Sequence, residues 1–357
     1  MRQCALTTKP MMFLPALMTL LMASLSTDAS VQAADPGPLT YLTGRLDEAQ
    51  LGELQVLAPN VTFLVDLSDE EALARAGEID AADAHLLDES FLAAATELRW
   101  VQSWSAGVDR YLRIPGLRDN QRIVLTNMQG VHGPAIAEHV LATLLALTRK
   151  LPELQTAQRD GRWDRSAAAG ATTLSGRTIF VVGMGGIGSQ IARRAHAFDM
   201  RVLASVRNPR DKEKPAYVDE LGGAGDLDRF LAAAEVVVVA LPLTSETEGL
   251  FDASRFARMP AGSWFVNIGR GPIVDTDALV AALQSGHLAG ASLDVTDPEP
   301  LPEGHPLWDL DNVIITPHVA SRAELTGERR WEIIKENVRR FAAGEELVNI
   351  VDKSIGY

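Results

Sequence analysis

Three observations point to an α/β protein in which a doubly wound parallel sheet is inserted into a smaller α/β unit. From residue 178 onward, short apolar runs alternate strictly with segments of helical pattern, the signature of strand–helix–strand units. A glycine-rich turn stands at the first of those strand-to-helix junctions. Ahead of both lies an independent set of short strand-like runs, followed by a long helix with an apolar face. The chain therefore carries material for two cores.

The first unit reads as strands at residues 39–42, 61–67, 84–87, 100–104 and 123–126, separated by polar, Ala-rich helical segments. Pro134 stands in the first turn of the next helix, whose apolar positions include Ile136, Val140, Leu144, Leu145 and Leu147. Proline fits there because an N–H at that position has no partner within the helix. Residues 161–176 read as loop. The second unit's strands are expected at 178–182, 201–206, 236–241, 264–268, 290–295 and 313–316. They are mostly apolar, as strands buried on both faces must be. Residues 209–215, bounded by prolines and carrying mixed charges, read as exposed loop, and a last helix over 324–343 is expected to return to the first unit. The partition is then 1–33 as a leader, 37–133 as the first part of the smaller substrate domain, 134–318 as the inserted dinucleotide domain and 319–357 as the return.

The net charge of −14 argues against a nucleic-acid partner, because phosphate binding needs a basic face; solubility accounts for it. A lone cysteine, Cys4, permits no disulfide framework and no Cys-rich metal site. The histidines include no pair at the spacing of a helical metal motif, so no metal is expected.

Arg2 and Lys9 accompany an apolar stretch at 11–25, interrupted by Pro15, and Val31-Gln32-Ala33 places small residues where a signal peptidase reads. Charged, apolar and small-residue regions in that order describe a cleaved secretory signal. The mature chain is then expected to be periplasmic or secreted; a cytoplasmic protein with a disordered extension or a misplaced start is the alternative. Cleavage after Ala33 would remove the only cysteine. No later run is long and apolar enough for a membrane span.

Gly183-Met184-Gly185-Gly186-Ile187-Gly188 follows the apolar run at 179–182 and opens a helical segment at 189–198. Gly183 permits a tight turn, Gly185 lets backbone approach a pyrophosphate, and Gly188 lets the helix pack close to the strand. The helix N-terminus offers free N–H groups and partial positive charge to phosphates. With a strand before and a helix after, the motif predicts dinucleotide binding on a Rossmann-type sheet. In NAD sites an acid near the end of the second strand grips the ribose 2′-OH. Here the stretch is Ala204-Ser205-Val206-Arg207-Asn208, with Val206 in the acid's place and Arg207 and Arg210 just beyond. Arginine pairs with a 2′-phosphate that an acid would repel, so NADP(H) is favoured, with NAD(H) possible.

Three chemistry-bearing residues follow three successive strands: Arg270, Glu299 and His318. In an open parallel sheet the carboxyl ends of the strands form the ligand crevice. A 2-oxo acid brings a carboxylate and a ketone, which the planar donor fork of Arg270 can orient. Reduction needs a proton on the ketone oxygen, and histidine is the residue type that exchanges one near neutral pH. Glu299 beside His318 would fix the ring. The expected chemistry is hydride transfer between a nicotinamide and the C2 carbon of a small 2-oxo or 2-hydroxy acid.

The chain resembles the D-isomer-specific 2-hydroxyacid dehydrogenases in several stretches in family order. These are Ser105-Ala106-Gly107-Val108-Asp109, Gly130-Val131-His132 with Ala137-Glu138-His139, the glycine motif, Leu241-Pro242-Leu243-Thr244, Asn267 to Gly271, Asp294 with Glu299-Pro300, and Thr316-Pro317-His318. The resemblance spans roughly residues 100–320. It implies a flavodoxin-like smaller domain and a catalytic trio of Arg270, Glu299 and His318. It also implies substrate carboxylate binding by backbone at Ala106 and Gly107, together with Arg270 and His318. Gly183, Gly185, Gly186, Ile187, Gly188, Ser205, Arg207, Leu241, Pro242, Ile268, Gly269, Arg270, Asp294 and His318 would surround the cofactor. A homodimer with the 134–147 helix near its interface is the family's usual form. Two other readings fit these residues: a non-catalytic, dinucleotide-sensing scaffold, and a dehydrogenase of another small oxyanion such as phosphite. Turnover of a 2-oxo acid separates them.

Overall fold

Two parallel sheets organise residues 37–210 and 212–357, which the computed structural model describes. The leader expected over residues 1–33 lies outside the described residues. The first sheet contains β1 (Leu39–Thr43), β2 (Val61–Val65), β3 (Ala81–Asp83), β4 (Trp100–Gln102) and β5 (Val124–Thr126) in the order β2-β1-β3-β4-β5. That is the flavodoxin-like winding. The second contains β6 (Thr178–Val182), β7 (Arg201–Ser205), β8 (Glu220–Gly222), β9 (Val236–Val239), β10 (Ser263–Asn267), β11 (Leu288–Leu293) and β12 (Val313–Ile315). Its order is β12-β11-β10-β9-β6-β7-β8. The winding reverses between β6 and β9, and the carboxyl ends of the strands at such a switch point form a crevice.

Burial on both faces explains the apolar runs. In β6, Phe180 and Val182 enter one hydrophobic cluster with Val237, Val239 and Phe265, while Ile179 and Val181 enter another with Val202, Val236 and Val238. Period-two alternation thus divides one strand between two cores. The helix Gly133–Thr148 supplies Ile136, Val140 and Leu144 to the second cluster. At its start a Cβ on Gly133 would stand 2.8 Å from the Gly186 carbonyl, so this glycine lets the crossing helix meet the glycine-rich turn. The chain returns through the helix Glu324–Ala343, whose Ile334, Val338 and Ala342 pack with Leu39, Tyr41 and Trp100 of the first sheet.

Three details differ from the sequence reading. The third strand is Ala81–Asp83, and residues 84–86 form a 3-10 turn. Ala81 and Ala82 are fully buried, their small side chains fitting between β1 and β4. Asp83 closes the strand by accepting from Tyr41 Oη at 2.7 Å and Thr43 Oγ1 at 2.8 Å. The edge strand β8 and the helix Leu151–Arg159 are additional. β9, β10, β11 and β12 also stop earlier than expected, leaving Ala240, Leu241 and Ile268 as non-strand residues on a cleft wall. No helix among the described residues is long and apolar enough to cross a membrane.

Candidate active site

A cleft of about 510 Å³ runs along the carboxyl ends of both sheets. Its floor is the glycine-rich turn. Gly183 sits at φ +103°, a conformation that side chains disfavour. A Cβ on Gly188 would stand 1.8 Å from the Gly183 carbonyl oxygen, so strand and helix meet there only because Gly188 lacks a side chain. Gly185 caps the helix Gly186–Ala197 without a side-chain hydrogen bond, and a Cβ placed on it would meet nothing within 4 Å. The face at Gly185 is therefore open, and the first-turn N–H groups of a helix, which have no partner within it, are placed for a pyrophosphate. Gly183, Gly185, Gly186 and Ile187 line the cleft, whereas Gly188 packs beneath it.

At the ribose end, Ser205, Val206, Arg207 and Glu246 line the cleft, and position 206 itself carries no acid. Arg207 is half exposed and lies 3.7 Å from Glu246. Arg210 is not on the lining, but Lys212 is, its Nζ donating to the Met184 carbonyl of the glycine-rich turn. Lys212 lay in what reads as a solvated charged loop, and only the fold returns it to the turn. Leu241, Pro242, Ile268 and Gly269 form the wall toward the first sheet's loops.

Arg270 joins the lobes. Its Nε donates to Asp109 Oδ1 at 3.2 Å, its Nη2 lies 3.2 Å from the same oxygen, and its Nη1 donates to the Gly269 carbonyl at 2.8 Å. A Cβ on Gly107 would fall 1.6 Å from Arg270 Nη2, so only glycine admits the guanidinium at that position. Among the described residues, the N–H groups of Ala106 and Gly107 donate to no acceptor, and both residues line the cleft. Asn127 steadies this loop by donating to the Ala106 carbonyl at 2.8 Å. A guanidinium beside two free backbone donors is a carboxylate site. Asp109 was visible in the sequence only as a motif member; its role comes from contact across 161 residues.

Strand register explains how Glu299 and His318 come near Arg270. Asn267 pairs with Leu293, and Leu293 with Ile315, so the three loops leave neighbouring strand ends. Gly271 lets two of them touch: a Cβ there would stand 1.8 Å from the Thr296 carbonyl oxygen. His318 Nδ1 and Glu299 Oε1 are 2.8 Å apart. Both side chains are close to half exposed and do not line the cleft wall. His318 thus meets Glu299 as expected, its Nδ1 taken by the carboxylate and its Nε2 left as the ring nitrogen for substrate.

Asp294, expected beside the cofactor, is buried, and its carboxylate accepts three hydrogen bonds from the loop that follows β12. Oδ1 accepts from Thr316 Oγ1 at 2.6 Å and the Val319 N–H at 2.9 Å, and Oδ2 accepts from the Ala320 N–H at 3.0 Å. His318 has φ +53°, a left-handed conformation uncommon for side-chain-bearing residues. Its N–H donates to the Asp294 and Thr316 carbonyls, each at 2.9 Å. Asp294 therefore fixes the loop that carries the imidazole, holding a strained conformation of the kind that collects at functional sites.

His132 lines the cleft and is buried. Arg330 Nη2 lies 2.8 Å from His132 Nε2. Burial, and next the Arg330 charge, push the imidazole down to about 4. The unfolded chain takes up this proton near pH 6.5, so native stability is full above that pH and falls as pH drops toward 4. The loss amounts to up to about 3 kcal/mol. Urea unfolding at pH 7 and pH 4.5 should therefore show a smaller pH loss for His132→Asn than for the parent chain; parallel losses would remove this assignment.

A dinucleotide cradle, a carboxylate-binding guanidinium and a carboxylate-backed histidine at one sheet end define a two-lobed, nicotinamide-dependent oxidoreductase. A profile for the D-isomer specific 2-hydroxyacid dehydrogenase NAD binding domain matches residues 141–320. Glyoxylate reductase of Thermofilum pendens is 35% identical over 280 residues, covering 77% of this chain and 80% of the relative. Glyoxylate/hydroxypyruvate reductase B of Citrobacter koseri is 35% identical over 272 residues, covering 75% and 82%. A crystal structure of a D-isomer specific 2-hydroxyacid dehydrogenase from Xanthobacter autotrophicus, in complex with NADPH and MES, superposes with a TM-score of 0.74. It is 34% identical and covers 90% of this chain and 100% of its own. The chain belongs to the D-isomer-specific 2-hydroxyacid dehydrogenases and is an NAD(P)-dependent oxidoreductase of that family.

Proposed function

We propose that this enzyme reduces a small 2-oxo acid of the glyoxylate or hydroxypyruvate type to the D-2-hydroxy acid, with NADPH preferred. The observation that carries the substrate reading is the docking of Arg270 onto Gly107, beside the free N–H groups of Ala106 and Gly107. The names of the relatives support the same substrate size. A panel of 2-oxo acids assayed against both nicotinamides tests it. Turnover of glyoxylate or hydroxypyruvate is expected; none across the panel would favour a sensing scaffold.

The glycine cradle, with its open Gly185 face and uncapped helix start, fits a nicotinamide dinucleotide. The chemistry a bound reduced nicotinamide supplies is a hydride for the C2 carbon. The protein's residues do the rest. Backbone at Ala106 and Gly107 receives the substrate carboxylate. Arg270, held from opposite sides by Asp109 and Gly269, orients carboxylate and ketone and offsets charge developing on the oxygen. His318 Nε2 gives that oxygen its proton, with Glu299 holding Nδ1 and balancing the ring's charge. In the opposite direction the same ring removes the proton.

NADPH preference rests on Arg207, on the absence of an acid at Val206, and on the NADPH held by the Xanthobacter relative. Arg207→Ala should raise the KM for NADPH roughly ten- to hundredfold, the size of lost charge-assisted hydrogen bonds. The KM for NADH should move little. Equal shifts would reduce Arg207 to a loop charge.

A homodimer is part of the same proposal. Trp163 is 92% exposed and Leu151 49%, and both follow the helix Gly133–Thr148 in the chain, so an interface near that helix would cover large apolar side chains. Sedimentation at working concentration should give twice the chain mass; an active monomer would overturn it. Export through the leader is tested by the mass of the mature N-terminus from the native host. A retained Met1 would overturn cleavage of the leader.

A further inference from the structure

Nicotinamide specificity in this fold is ordinarily sought next to the second strand of the dinucleotide sheet. Here the specificity arginine has a partner from the other sheet. The Arg207 guanidinium lies over the Tyr357 ring, 4.9 Å from its centroid. On resting on the NADPH reading above, we propose that Tyr357 is a cofactor-specificity residue, holding Arg207 in place to receive the 2′-phosphate.

The segment carrying Tyr357 is anchored on the first sheet. Ile350 bridges to Thr126 in antiparallel fashion, and the Val351 N–H donates to the Leu125 carbonyl at 2.8 Å. Lys353 Nζ donates to the carbonyls of Leu117 at 3.2 Å and Ile123 at 2.8 Å, and also to that of Asn120. The chain then turns. The Gly356 N–H donates to the Asp352 carbonyl at 2.8 Å, and the Asp352 N–H to the Tyr357 carbonyl at 3.3 Å. Gly356 permits that turn at φ +89°. The ring is thus delivered to the cleft wall by a pinned turn, and Gly356 and Tyr357 both line the cleft.

Asp352, in the same turn as Tyr357, acts on Arg207 through its charge; the two groups nearest the guanidinium, Glu246 and Tyr357, differ in what an arriving phosphate would do to them. Glu246 lies 3.7 Å from the guanidinium and is 78% exposed. An exposed pair of that length contributes little, so a 2′-phosphate with more negative charge displaces it at small cost. The ring is different: it lies under the guanidinium carbon, 4.9 Å from it, and as an uncharged π face it is not in competition with a phosphate for the N–H donors. A cation–π contact orients a guanidinium without using its donors. Tyr357 therefore remains in place while the edge turns from Glu246 to phosphate. NADH has no 2′-phosphate for Arg207 and gains nothing from this arrangement.

The test is steady-state kinetics with both nicotinamides on Tyr357→Ala, Tyr357→Phe, Arg207→Ala and the double variant. Tyr357→Ala should raise the KM for NADPH roughly tenfold, as expected for a half-exposed cation–π contact, and leave kcat and the KM for NADH within about twofold. Tyr357→Phe should restore the parent value, since the ring and not the hydroxyl does the holding. The double variant should match Arg207→Ala, because two residues acting as one unit are not additive. If Arg207→Ala is selective for NADPH and Tyr357→Ala is not, the proposal is overturned while the NADPH reading stands. Equal losses for both nicotinamides in Tyr357→Ala would also overturn it, by showing that the ring serves the shared part of the dinucleotide. A non-selective Arg207→Ala would remove the NADPH reading itself.

Discussion

His318→Ala should lower kcat for 2-oxo acid reduction roughly 10²–10⁴-fold, the range of a positioned general acid, while leaving the NADPH dissociation constant near that of the parent. The separation follows from placement. His318 lies on the loop after β12, outside the lining of the cleft, so its removal touches the dinucleotide cradle little. His318→Gln sharpens the test, because a glutamine can hydrogen-bond Glu299 but cannot transfer a proton as imidazole does. A proton-donor role requires both variants to fail alike. Stopped-flow single turnovers with a fluorescence titration of NADPH measure the two quantities. Parent-like turnover in either variant would falsify the assignment.

Arg270→Lys should be nearly as damaging as Arg270→Ala, with kcat/KM falling roughly 10²–10³-fold, the scale of losing a preorganised donor to a developing oxyanion. The conservative variant keeps the charge but loses the shape. Arg270 reaches Asp109 through Nε and Nη2 while Nη1 holds the Gly269 carbonyl. A lysine ammonium cannot span those positions. The loss should be shared between KM, through the substrate carboxylate, and kcat, through the ketone oxygen. A loss confined to KM would show that Arg270 only binds. Retention of most activity in the lysine variant would show that charge alone suffices.

Sequence reading reached furthest where the determinant is local. The glycine-rich turn was legible because the positive φ of Gly183 and the close approach of Gly188 to the Gly183 carbonyl are set within six residues. The helix over Glu324–Ala343 was legible from its periodicity. Reading was weakest where a residue's neighbours come from elsewhere. β3 was misplaced because Ala81 and Ala82 carry no strand signal of their own; what makes them a strand is the slot between β1 and β4. Asp294 was read only as a residue beside the cofactor, yet its carboxylate also binds the loop 316–320 through three hydrogen bonds. Nothing in residues near Asp294 announces that three donors from the next strand's loop will fold over it. Asp109, Lys212 and Tyr357 were missed as site residues for the same reason.

The order of apolar runs, the glycine pattern and three chemistry-bearing residues after three strands were enough to determine the parallel architecture, the dinucleotide site and the class of reaction. These follow from short-range rules of backbone geometry and side-chain chemistry, which repeat wherever the same residues recur. The tertiary structure alone decided which groups hold the working ones: Asp109 on Arg270, Asp294 around the His318 loop, Tyr357 against Arg207. Those pairings join positions 161, 24 and 150 residues apart, and contact at such separations depends on how sheets stack and where loops cross, which no local pattern encodes.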